Sequence, residues 1–217
     1  MTEAEQVTPK PKKSVALSGI PAGNTALCTV GRTGNDLHYR GYDILDFAED
    51  AEFEEVAYLL VHEKMPTKAE LAGYKRKLKA QRGLPTNLKA VLEWIPASAH
   101  PMDVLRTSVS ALSAFDPETR NKSPEATLRK GIRLTAQVPM IVAAHEHIRN
   151  GREPVAPDPR LAHAANFLYM LKGKAPGADA ARLMDIDMVL HAEHGSNASS
   201  FAARVVAGTD ADLHGAI

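Results

Sequence analysis

Apolar residues recur every three or four positions along most of this chain, the repeat of a helix with one buried face. In "EFEEVAYLLVHE" Phe53, Val56, Leu59 and Leu60 share a side. "MPT" ends that segment, and Thr67 is placed to cap a lysine-rich helix running to about Gln81. After "RGLP", "TNLKAVLEWI" turns Leu88, Val91, Leu92 and Ile95 inward. A helix follows from near Pro101, because proline suits a first turn. Ser123 and Pro124 mark the start of a long helix reaching His147 or Ile148, with a bend expected at Pro139. Three more helical segments, "LAHAANFLYML", "ADAARLMDIDMVLHAEH" and "NASSFAARVVAGT", complete the pattern. One stretch differs. From Asn24 to Asp43 two short β-prone runs flank "GRTGND", which predicts a hairpin. The expected class is all-α, with a small β-hairpin near the N-terminus.

Composition narrows the function classes. The chain has 217 residues, 44% hydrophobic and 24% charged, the balance of a globular protein. Lysine plus arginine and aspartate plus glutamate both number 26, so no net charge draws it to nucleic acid or an anionic membrane. Cys28 is the single cysteine, which excludes an intrachain disulfide and fits a reducing, cytoplasmic setting. No apolar run approaches the roughly 20 residues of a membrane span. Residues 1–13 are polar, lack the apolar core of a signal peptide and are expected to be a flexible tail; residues 14–217 form the folded part.

The stretch richest in chemistry is "LHAEHGSNASS", residues Leu190 to Ser200. "HAEH" fits neither common zinc spacing on a helix and has no cysteine nearby, so no metal site is expected. Two readings remain open. In one, Gly195 closes a helix, Ser196 or Asn197 caps the next, and His191 and His194 are ordinary polar or core residues. In the other, His191 and His194 share a helical face beside the free N–H groups of the next helix, a setting that suits a small oxoacid.

Several stretches together carry a resemblance: "SGIPAGNTALCTVG", "LHYRGYDI", "FEEVAYLLVHEKMPT", "HPMDVLRTSVSAL", "ANFLYMLKGKAP", "LHAEHGSNASSFAARVVAGT" and "DLHGAI". In this order they make the chain similar to the citrate synthases, and among them to the bacterial 2-methylcitrate synthases. The resemblance covers nearly everything after about Lys12. It implies a helical fold of a large and a small domain, with this chain as the N-terminal part of the large one. It implies a homodimer or larger homo-oligomer that condenses propionyl-CoA or acetyl-CoA with oxaloacetate and releases CoA, without a cofactor. It matches His194 and Asn197 to oxaloacetate-binding positions and His191 to a position lining the same pocket. Arg40, in "YRGYD", reads as a structural ion-pair residue.

The resemblance also implies what is absent. The family's catalytic histidines, its aspartate and most of the CoA site have no counterpart before Ile217, so no catalytic residue is expected within this chain. His214 lies before the family's first catalytic loop and reads as a helix-surface or interface histidine. The alternative expectation is a shortened, inactive helical module that pairs with or regulates a full-length subunit. Many 2-methylcitrate synthases carry tyrosine in place of His191 and an acidic–aromatic pair in place of Gly195 and Ser196. Acyl preference is therefore left open, since one methyl group is worth only about 1–3 kcal/mol of discrimination.

Overall fold

The structure is a computed structural model that describes residues 23–32 and 34–217. The tail expected over residues 1–13 lies outside the described residues. The chain is dominated by helices, as its periodicity predicts. They are α1 (Phe53–His62), α2 (Lys68–Ala80), α3 (Thr86–Trp94), α4 (Pro101–Leu112), α5 (Pro124–Ile148), α6 (His163–Lys172), α7 (Ala178–Leu190), α8 (Ala198–Ala207) and α9 (Leu213–Ala216).

The caps sit where the sequence places them. Thr67 accepts from the Glu70 N–H while Glu70 reaches back to the Thr67 N–H, a reciprocal capping box. Ser123 accepts from the Ala126 N–H at 3.2 Å, and Pro124 and Pro101 occupy first turns. Pro139 lies inside α5, which continues through it.

The β region has one strand more than the predicted hairpin. Strands β1 (Cys28–Val30), β2 (Leu37–Tyr39) and β3 (Tyr42–Asp43) form an antiparallel sheet in that order. Arg40 and Gly41 separate β2 from β3, with φ of 51° and 90°. Positive φ at both central residues is what a two-residue hairpin of matching twist requires, and Gly41 adopts it without strain. The run "LHYRGYD" therefore folds back on itself. Arg40 donates to the Leu60 carbonyl at 2.9 Å and lies 3.4 Å from Glu63, tying this turn to the end of α1.

α5 is the central helix. Leu134, Ile141 and Ala144 pack with Leu88, Leu92, Val104, Val109 and Leu112 of α3 and α4. Ile132 and Ala136 meet Tyr58, Tyr74 and Leu78 of α1 and α2, and Met140 and Ala143 meet Met170 of α6. Lys130 of α5 is buried, yet its ammonium donates to the carbonyls of Thr119 and Asn121 at 3.2 and 2.8 Å, so its charge is satisfied. A fourth cluster joins the sheet to α1 and the end of α7 through Tyr39, Cys28, Val56, Leu59 and Val189.

His163 opens α6 and stacks on Phe53 with ring centroids 5.0 Å apart. Burial, helped by the Arg82 guanidinium, pushes its pKa down to about 4. Between pH 4 and the unfolded value near 6.5 the unfolded chain binds a proton that the native imidazole refuses. Stability from this group is whole above about pH 6.5 and falls as pH drops toward 4, at up to about 1.4 kcal/mol per pH unit. Chemical denaturation of His163→Gln across that range is expected to give a shallower acid loss than the parent.

Candidate active site

The segment from Leu190 to Ser200 rests on the sheet. Tyr39, fully buried on β2, donates its hydroxyl to the carbonyls of Val189 and Leu190 at 3.0 and 3.1 Å and accepts from the Glu193 N–H at 3.3 Å. One side chain thus satisfies the last carbonyls of α7 and the first free N–H of the turn beyond it. Burial pushes the tyrosine pKa up, so the hydroxyl keeps its proton and its role as donor. Gly195 has φ +73°, and a side chain there would meet Val30 of β1 at 3.7 Å. Left-handed backbone beside a packed strand is a place for glycine.

The helix ends earlier than its apolar repeat predicts. α7 stops at Leu190 with His191 as its C-cap, and residues 191–197 form a turn. His191 and His194 therefore do not share a helical face. The cause lies in Tyr39: it takes the carbonyls of Val189 and Leu190, and the left-handed Gly195 redirects the chain. Gly195 is accordingly a turn residue several positions past the helix, not its closing residue.

The three residues singled out from the sequence come together on this turn and are all exposed. His191 Nδ1 lies 2.8 Å from the Asp187 carbonyl, an acceptor, so Nδ1 carries a proton and the ring turns Nε2 outward. Its Nδ1 also lies 3.4 Å from Asp187 Oδ1. His194 makes no hydrogen bond or ion pair with any described residue. Asn197 caps α8, its Oδ1 accepting from the Ser200 N–H at 2.8 Å. The two readings of Asn197 are compatible: the cap engages Oδ1 and leaves the Nδ2 donors for a second partner. The sheet's part in the site had no sequence signal beyond a tyrosine in a β-prone run, because its partner is 150 residues away.

His214 differs from expectation. It is buried at 1% exposure, with Nε2 3.4 Å from Asp116 Oδ2 and Nδ1 3.6 Å from Asp212 Oδ1. Burial holds its pKa below the ordinary value. It packs inside because Asp212 caps α9 through the N–H groups of His214 and Gly215 and so turns the ring toward Asp116. Among the described residues no three histidine, cysteine, aspartate or glutamate side chains gather where a metal ion fits.

A mostly helical scaffold thus presents two exposed histidines and a capping asparagine at the junction of α7 and α8. The comparisons with known proteins are specific. The family profile of the citrate synthase C-terminal domain matches residues 16–217. The 2-methylcitrate synthase of Shewanella oneidensis is 45% identical over 100% of this chain and 56% of its own length. The citrate synthase of Synechocystis is 38% identical over 93% of this chain and 51% of its own. The crystal structure of citrate synthase from Pyrobaculum aerophilum superposes with a TM-score of 0.86 at 36% identity, covering 92% of this chain and 52% of that one. This chain belongs to the citrate synthase family. It spans about half the length of the relatives it matches. No described helix is long and apolar enough to cross a membrane.

Proposed function

We propose that this chain is part of an acyltransferase that condenses propionyl-CoA or acetyl-CoA with oxaloacetate and releases CoA, a 2-methylcitrate or citrate synthase acting in the cytoplasm. The similarity over the whole chain to proteins named 2-methylcitrate synthase and citrate synthase carries this reading. In it, His194 and Asn197 bind oxaloacetate: the unpartnered imidazole and the free Nδ2 donate to its carboxylate or ketone oxygens. His191 lines the same pocket, with its Nε2 turned outward. The proton abstraction and the thioester hydrolysis belong to catalytic residues outside 1–217, and neither step calls for a metal or cofactor.

Residues 14–217 form the N-terminal part of a large helical domain in a homodimer or larger homo-oligomer. α8 supports this: it buries no residue, while Phe201, Val205 and Val206 are 42%, 54% and 37% exposed. An apolar helix face of that extent is expected to be covered by the rest of the domain or a second subunit.

The test is release of free thiol from propionyl-CoA or acetyl-CoA by the full-length protein, measured with and without oxaloacetate. Release that requires oxaloacetate supports the reading, and a folded full-length protein that releases none overturns it. Asn197→Asp separates capping from binding. Aspartate caps α8 as well as asparagine, so the unfolding free energy is expected to stay within about 0.5 kcal/mol of the parent's. The new carboxylate faces a dianionic substrate and removes the Nδ2 donors, so the KM for oxaloacetate is expected to rise at least about tenfold.

A further inference from the structure

We propose that Tyr39 is a positioning residue for the oxaloacetate site: its buried hydroxyl, acting from the sheet beneath, holds the 191–197 turn where His194 and Asn197 meet the substrate. This rests on the reading above that those two side chains bind oxaloacetate, and it adds a residue that never touches the substrate.

His194 is exposed and makes no hydrogen bond or ion pair with any described residue, so its imidazole takes its place from its own backbone. That backbone has few anchors. The Glu193 N–H, next in the chain, finds a single partner among the described residues, the Tyr39 hydroxyl at 3.3 Å. The Leu190 carbonyl likewise meets only that hydroxyl among the described residues, at 3.1 Å. The Val189 carbonyl accepts from it at 3.0 Å and from the Ala192 N–H at 3.3 Å. A hydroxyl has one proton to donate and two lone pairs to accept. Tyr39 therefore serves both carbonyls with its proton and takes the N–H on a lone pair. The second anchor is Gly195, left-handed against Val30 of β1, whose carbonyl accepts from the Asn197 N–H at 2.9 Å.

Tyr39 itself has little freedom to move. It is wholly buried, stands opposite Cys28 of β1 in the sheet, and shares a core cluster with Val56, Leu59 and Val189. The turn above it is built of half-buried and exposed residues. Packing requires only the ring. The hydroxyl is the part that reaches the turn, since all three of its partners lie between Val189 and Glu193. A site binds well when its donors are held in place by supports that are themselves locked, and a displacement of about 1 Å can cost up to about 100-fold.

The test compares Tyr39→Phe with the parent, both full-length, by calorimetric titration of oxaloacetate and by thiol-release kinetics. Phenylalanine keeps the packed ring and removes the hydroxyl. The Kd for oxaloacetate is expected to rise about tenfold. The KM for acyl-CoA at saturating oxaloacetate, and the number of oxaloacetate sites per chain, are expected to match the parent. A purely structural role would lower the number of sites or kcat at unchanged Kd. In a His194→Ala background the same change is expected to add less than about threefold, because a residue acting through another is not additive with it. If Tyr39→Phe does not fold, Gly195→Ala disturbs the same turn from its other anchor, where a side chain is strained at φ +73°, and is expected to raise the Kd by about the same factor. Parent-like Kd in the folded variant, loss of sites or kcat at unchanged Kd, or full additivity with His194→Ala overturns the proposal and leaves the oxaloacetate reading standing. A parent protein that binds no oxaloacetate overturns both.

Discussion

His194→Ala in the full-length protein is expected to lower oxaloacetate-dependent thiol release by on the order of 10²–10³-fold, the usual loss when one preorganised donor to a developing negative charge is removed. The same change should leave folding almost untouched. His194 is exposed and makes no hydrogen bond or ion pair with any described residue, and surface changes of that kind stay within about 0.5 kcal/mol. The measurement is kcat/KM for oxaloacetate at saturating acyl-CoA, alongside the denaturant midpoint. Parent-like kcat/KM would remove His194 from the substrate site. A large loss of both activity and stability would instead mark a structural histidine. His191→Ala is the companion variant: its Nδ1 already serves the Asp187 carbonyl, so its effect is expected to be the smaller of the two.

Arg133→Met is expected to destabilise the fold by about 3–5 kcal/mol, the range for leaving one partner of a buried ion pair uncompensated. Arg133 pairs with Asp116, whose side chain is 2% exposed, and lies 3.4 Å from Glu118. Its Nε donates to Gln81 at 3.3 Å, so the guanidinium joins α5 to the end of α2 and to the loop after α4. Without it, Asp116 keeps only the Glu118 N–H on Oδ1, at 2.8 Å, and, beside Oδ2, His214, whose pKa burial holds below its ordinary value. Urea unfolding should show a lower midpoint at unchanged slope. Adding Asp116→Asn is expected to recover part of the loss, since removing both charges is far less damaging than removing one. A single variant as stable as the parent would mean that Asp116 finds water or another donor.

Much of the fold was legible because helices announce themselves locally. Thr67 with Glu70, Ser123 with Pro124 and Pro101 each act within one turn of backbone, so sequence neighbours suffice to place the helix starts. The core faces followed from spacing: Val56, Leu59, Leu88 and Leu92 are all buried. The places where the periodicity misled are places where a distant residue intervenes. The apolar repeat carries the helix ending at Leu190 on to His194, because nothing near it in sequence shows Tyr39 taking its last carbonyls. His214 reads from sequence as a helix-surface or interface histidine, because its partner Asp116 lies 98 positions away, and a short apolar pattern does not reveal which side of a four-residue helix is covered.

The candidate site divides along the same line. By itself the sequence determined the helical class, the long helix from Pro124, the β-rich front, membership of the citrate synthase family, and which histidines and asparagine could matter. These rest on short-range backbone chemistry and on motifs that survive intact as strings of residues. Only the tertiary structure decided that His191 and His194 stand on a turn rather than on one face of a helix. It alone placed that turn on a three-stranded sheet through Tyr39 and Gly195. Each of these depends on contacts between residues far apart in the chain, whose geometry is set by packing and has no local sequence signal.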